Sequence, residues 1–370
     1  MGGLAAGCRR YTPVVAKRIV MHVGAPKTGT TFLQAVLFHN RERLQEQGVM
    51  VPGRSRFDHG AASTGVRQGA KGKKYPAWQQ LVAEVEETSD TVIISNEWLS
   101  MASAERVRTA LDDLGDTETH VVFTARDFVD QIPSAWQETL KLGDSSPLED
   151  FVASLGDTDD RWRWSVLDPA EVLHCWGAGL PADHVHVVTT PPRGADPGLL
   201  WQRFAAACGI DPDSFETELD QARESLGVEA ARLLQEIGPS LRIAVEADKG
   251  RWRDGHWRGA YQWIQRYFSH ELLVPPGGGR IALQPADFEA VRARSQRCVA
   301  TLREAGYDVV GDLDDLMSAT VPADARTPED VTDSELLAVA LPLLPELLAK
   351  VRSEHQRAEE AIAQLASRGQ

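Results

Sequence analysis

The chain has 370 residues and a formal net charge of −15, room for one large α/β domain with an appendage, or for two domains. That acidity argues against a general nucleic-acid surface, so an anion site must concentrate its positive charge locally. Four scattered cysteines (Cys8, Cys175, Cys208, Cys298) form no CxxC and no His/Cys ligand spacing, which points away from a metal site and toward reduced thiols in a cytoplasmic protein.

Residues 1–17 read as a loose leader without the apolar core of a signal peptide, and no apolar run is long enough for a membrane span. Residues 18–24 are apolar without alternation, as in a buried parallel strand. A Gly-rich turn follows. Residues 30–46 have helical periodicity, with Phe32, Leu33, Val36, Leu37 and Leu44 on the apolar side. Residues 48–53 are a short strand. The stretch 53–74 is rich in Gly and Ser and sets six basic residues (Arg54, Arg56, Arg67, Lys71, Lys73, Lys74) against Asp58. It predicts a flexible, positive lid over an anionic ligand.

Helices are expected at 76–87, 103–115, 128–141 (around Pro133), 147–155, 168–177 and 199–210. Between them, 91–100, 120–128 and 183–190 read as buried strands. The first of these runs into polar residues and the second ends in Arg126-Asp127. Beyond 223 the pattern is helical at 226–247, 257–273 and 285–305, with a short strand at 307–312. Residues 312–337 read as an acidic, Pro-containing linker. Residues 333–366 form one strongly periodic helix or two, whose apolar side (Leu336, Leu337, Val339, Leu343, Leu344, Leu347, Leu348) needs a partner: the main domain or a second subunit. Strands alternating with helices predict a P-loop-like three-layer α/β fold, a central parallel sheet flanked by helices, with a helical C-terminal extension.

The chemistry concentrates in GAPKTGTT, residues 24–31. A strand, a Gly-rich turn and a helix N-terminus make a phosphate site: backbone N–H groups converge on the anion and the helix end adds partial positive charge. Gly24 and Gly29 permit tight backbone, Lys27 supplies a full charge, and Thr30 and Thr31 supply hydroxyls. The nucleotide P-loop pattern puts its lysine after the second glycine; here the lysine precedes it. A second motif, TARDFVDQIPSAW, puts Arg126 at a strand end and Ser134 two helical turns on. A guanidinium and a hydroxyl suit a dianionic phosphate. Arg161, Trp162, Arg163 and Trp164, with Trp252, Trp257 and Trp263, either line an acceptor cleft or serve in packing.

PKTGTT resembles the 5′-phosphosulfate loop of the sulfotransferases that use 3′-phosphoadenosine 5′-phosphosulfate (PAPS). Together with TARDFVDQIPSAW and further segments between about residues 18 and 318, it resembles bacterial, actinobacterial-type sulfotransferase-like proteins. That span is the expected domain; 319–370 is the linker and extension. The resemblance implies a sulfonate transferred from PAPS to a hydroxyl of a small-molecule or saccharide acceptor, possibly an anionic one, leaving PAP, with no metal, nucleic acid or membrane partner. It implies that Pro26, Lys27, Thr28, Gly29, Thr30 and Thr31 hold the 5′-phosphosulfate and that Phe32 stands where an aromatic residue stacks on adenine. Arg126 and Ser134 then hold the 3′-phosphate, and Ser225, Leu226 and Gly227 close over the nucleotide. Cytosolic members use a histidine base after the third strand. This chain has Ser95-Asn96-Glu97 there, so Glu97 is the expected base, as in Golgi-type members, with His59 the alternative. A P-loop small-molecule kinase and a non-catalytic PAP-binding protein are the rival readings.

Overall fold

The structure is a computed structural model. It describes residues 16–158, 160–196, 198–219, 225–246, 259–274, 278–317, 320–321 and 323–368. Most of the expected leader, Cys8, Trp252 and Trp257 lie outside them. Among the described residues the strands are β1 (Arg18–His22), β2 (Val49–Met50), β3 (Thr91–Ser95), β4 (Thr119–Ala125), β5 (Val185–Thr189), β6 (Arg280–Ile281), β7 (Asp308–Val310) and β8 (Ala325–Arg326). Six form one sheet in the order β2-β3-β1-β4-β5-β7, every neighbouring pair parallel. This is the three-layer α/β fold with a central parallel sheet flanked by helices.

β1, β3, β4 and β5 bury nearly every side chain, because helices cover both faces and leave no solvated side to impose alternation. On one face Val20, Ile93, Val122 and Val188 meet Leu33, Val36 and Leu37 of α1 (Thr30–His39) and Trp201 and Phe204 of α10 (Leu199–Cys208). α9 (Pro169–Trp176) lies against β4 and against α5 (Ala104–Asp113). In register, His22 at the end of β1 stands beside Ser95 of β3 and Val122 of β4. The three central strands therefore open onto one edge, where ligands bind in open α/β sheets.

Three expectations are corrected. The basic stretch 53–74 is not a flexible lid. Residues Arg56–Gln68 form helix α3, started by a capping box between Ser55 and Asp58 and packed on α4 (Tyr75–Glu86). Gly65 serves close approach: a Cβ there would stand 2.4 Å from the Lys74 carbonyl oxygen. The 312–337 linker is also ordered in part. It holds a 3-10 turn (Leu313–Leu316), strand β8 paired with β6, and a second 3-10 turn (Pro328–Asp330). The helix expected over 30–46 breaks at Asn40, giving α1 and α2 (Arg41–Glu46).

The chain divides into two units. The first, residues 1–131, 154–221 and 292–318, contains the whole six-stranded sheet. The second, 132–153, 222–291 and 319–370, holds α11 (Val228–Glu246), the π-wound α12 (Ala260–Leu273), the β6–β8 pair and α14 (Asp333–Arg368). The division falls inside α6 (Phe128–Leu140), after Gln131. α13 (Pro285–Ala305) also spans both. α14 continues as one helix through Pro342 and Pro345.

Candidate functional site

The turn 24–29 is built by anchoring its carbonyls. The Gly24 oxygen accepts the Thr124 N–H (2.7 Å) and hydroxyl (2.8 Å). The Ala25 oxygen accepts the Thr28 hydroxyl (2.6 Å) and the Pro26 oxygen the Gln131 amide (2.8 Å). The Lys27 oxygen accepts the Arg126 guanidinium (3.0 Å) and the Thr28 oxygen the Thr190 hydroxyl (3.4 Å). Five consecutive carbonyls are thus tied to the ends of β4 and β5, the start of α6 and the turn itself. Lys27 takes φ +67° and Gly29 φ +88°, positive values of the kind found where successive peptide planes form a concavity able to hold an anion. A β-carbon on Gly29 would meet Leu200 Cδ2 at 2.4 Å. The first turn of α1 has no side-chain cap and no acidic residue, so its N–H groups and dipole remain for an anion.

His22, which sequence reasoning passed over, is the support beneath this turn. Its Nδ1 lies 2.8 Å from the Ser95 hydroxyl and its Nε2 3.3 Å from the Thr124 hydroxyl. The Thr124 hydroxyl also meets that of Thr28 at 2.6 Å. Full burial holds the ring's pKa down to about 3, against a weaker upward pull from the Gly24 backbone. The only sequence signal was a histidine in an otherwise apolar strand. Gln131 was missed for a similar reason, since its role depends on a carbonyl about a hundred positions away.

Glu97 opens the 3-10 turn Glu97–Met101 after β3, capped by the Asn96 side chain. Gln34 of α1 donates to the Glu97 carboxylate (3.0 Å) and to the Ser95 carbonyl (3.2 Å). Glu97 and the 24–29 turn are therefore both fixed to α1. His59 is buried inside α3. Its Nδ1 accepts the Ser95 N–H (3.1 Å), its Nε2 donates to the Pro52 carbonyl (2.8 Å), and its ring edges against Phe38. Both ring nitrogens are engaged within the fold, and burial lowers its pKa.

Thr28 and Thr30 are buried, while Lys27, Thr31 and Phe32 are half-buried. Since the Thr28 hydroxyl is spent inside the turn, its backbone is what it offers to a ligand. Arg126 lies 3.9 Å from Asp130 as well as bonding the turn. Ser134 belongs to the second unit, half-buried on α6. So do Ser225, Leu226 and Gly227, where the Leu226 N–H donates to the Gln137 side chain at 2.8 Å.

The aromatic set separates by role. Trp162 is buried against Trp98, and Arg161 lies 3.9 Å over the Trp98 ring. Trp164 packs on Phe128 beneath Arg294, and Trp263 belongs to the second unit. Arg67 of α3 reaches the Met101 sulfur and the Thr64 hydroxyl. It meets no acid among the described residues. Burial, then the charges of Arg161 and Arg163, lower its pKa, so three cations gather around the Glu97–Met101 turn. A cavity of about 670 Å³ opens beside them, lined in part by Met101, Arg163, Cys175 and Arg294. Among the described residues, no His, Cys, Asp and Glu cluster could hold a metal ion, and no helix is long and apolar enough to cross a membrane.

No family model matches the chain, and no curated protein matches it. Among solved structures it is similar to the crystal structure of a sulfotransferase from Alicyclobacillus acidocaldarius, with 17% identity and a TM-score of 0.39, over 66% of this chain and 100% of that one.

Proposed function

We propose that this protein is a PAPS-dependent sulfotransferase that moves a sulfonate group to a hydroxyl of a small-molecule or saccharide acceptor. The observation that carries the reading is the turn 24–29: five carbonyls anchored away from an uncapped helix N-terminus, with Lys27 ahead of Gly29 rather than behind it. A strand-end arginine joined to that turn supports a second phosphate on the same ligand. The fit is good: Gly29 is exposed at the mouth of the turn, and no protein anion caps the helix.

When bound, PAPS supplies the activated sulfonate. The backbone of residues 26–31 holds its 5′-phosphosulfate and Phe32 borders the adenine. Arg126 and Ser134 hold the 3′-phosphate, with Ser225, Leu226 and Gly227 over the nucleotide. Lys27 offsets charge on the departing phosphate, and Glu97, oriented by Gln34, takes the acceptor proton. In-line geometry and electrostatics do most of the work, as in phosphoryl transfer. The cations Arg67, Arg161 and Arg163 around the Glu97–Met101 turn support an anionic acceptor. The transferase domain spans 18–318, and the protein acts in the cytoplasm.

Transfer of labelled sulfate from PAPS across a panel of neutral and anionic hydroxyl acceptors tests the reading. Lys27→Ala and Glu97→Gln are each expected to lower kcat by about 100-fold or more. Full activity of Glu97→Gln removes it as the base.

A further inference from the structure

Helix α14 carries two apolar stripes. One includes Leu343, 8% exposed, and turns toward its own unit, where α14 packs on α11. The other faces solvent. Leu348, Val351, His355, Ala358, Ile362 and Leu365 follow at alternating steps of three and four residues, and the same spacing runs back to Leu337. The large members are bare: Leu348 70%, Val351 65%, Ile362 67% and Leu365 70% exposed. A mean step of about 3.5 residues is the spacing of knobs entering holes on another helix. A membrane surface does not require that spacing and favours a Lys/Arg-rich polar face, whereas the charges flanking this stripe are mixed, Glu354, Glu359 and Glu360 alternating with Lys350, Arg352 and Arg357.

From this spacing and its flanking charges, we propose that residues 348–365 of α14 form an antiparallel two-helix coiled coil with a second copy of the chain. The charges choose the orientation. In a parallel pair Glu354 faces Glu359 of the other copy and His355 faces itself, and both contacts repel or crowd. In the antiparallel pair Leu348 meets the second copy's Leu365, Val351 meets its Ile362, and His355 meets the small Ala358. Arg352, which makes no ion pair among the described residues, then faces the second copy's Glu359, twice by symmetry, adding a cation to a carboxylate that already lies 3.2 Å from its own helix's His355. Glu354 is already satisfied at home by Arg357 (3.0 Å) and Lys350 (3.6 Å). Pro342 and Pro345, which interrupt the helical hydrogen-bond ladder, fall outside the overlap. Covering the four large side chains on both copies removes on the order of 1,000 Å², near the floor for a specific interface.

Sedimentation velocity on the full chain at tens of micromolar is expected to show a dimer. Leu348→Glu with Ile362→Glu is expected to return it to a monomer with unchanged far-UV circular dichroism. A monomeric wild type, which leaves the stripe to some other occupant, overturns the proposal, as does a dimer indifferent to the double substitution. Orientation is read by oxidation in a Cys8→Ser, Cys175→Ser background. A chain carrying both Val351→Cys and Ile362→Cys is expected to cross-link into covalent dimers while neither single variant does. Cross-linking of Ile362→Cys alone means a parallel pair and overturns the assignment.

Discussion

Protonating His22 dismantles the candidate site from below, and the cost can be worked out. In the unfolded chain the ring takes a proton below about pH 6.5. In the folded protein burial holds that proton off until about pH 3. Between those values the unfolded state binds more protons, so stability rises with pH through the window and is lost on acidification from 6.5 toward 3. The full contribution at neutral pH is on the order of 5 kcal/mol, of which about 2 kcal/mol is gone at pH 5. Urea unfolding at pH 7 and pH 5 measures it. His22→Gln keeps a neutral polar side chain there and does not titrate. Its loss of stability between the two pH values is expected to be about 2 kcal/mol smaller than that of the wild type. His59 and His120 are also lowered by burial, but they are present in both proteins and cancel in the difference. Equal pH dependence in the two proteins refutes the placement of His22 as the buried, neutral support of the turn.

Gly29→Ala forces a β-carbon into positive φ and against Leu200, and is expected to cost about 2 kcal/mol of stability. Leu200→Ala in the same chain relieves the clash, so thermal unfolding of the pair should show less than the summed loss; strict additivity contradicts the contact. Gln34→Leu frees the Glu97 carboxylate from its donor and is expected to lower kcat about 10-fold with little change in KM; a change confined to KM assigns Gln34 to binding. His59→Gln is expected to destabilise by about 1–3 kcal/mol while the folded enzyme keeps its kcat. A kcat loss of about 100-fold in fully folded protein would make His59 a catalytic group after all.

The sheet was legible because parallel strands buried on both faces leave unbroken apolar runs, as in β1 and β4. The Gly-rich turn between β1 and α1 was legible because glycines, a lysine and an adjoining helix start are local features. What escaped was non-local. Gly65 and the basic residues of 53–74 look like a mobile loop until α3 is seen packed on α4. His59 looked available until Pro52 and Ser95 took both its nitrogens. His22 and Gln131 support the turn through partners on other strands, and no spacing rule encodes that. Pro342 and Pro345 left one helix or two open over 333–366, and α14 runs through both as one.

The central claim is that the turn 24–29 and Arg126 serve a nucleotide with phosphates at both the 5′ and 3′ positions. Titration calorimetry with PAP, 5′-AMP and ATP tests it most directly. PAP is expected to bind about 10- to 100-fold tighter than 5′-AMP, the value of a charge-assisted phosphate contact, and Ser134→Ala is expected to narrow that gap. Equal affinity for PAP and 5′-AMP, or tighter binding of ATP, contradicts the account.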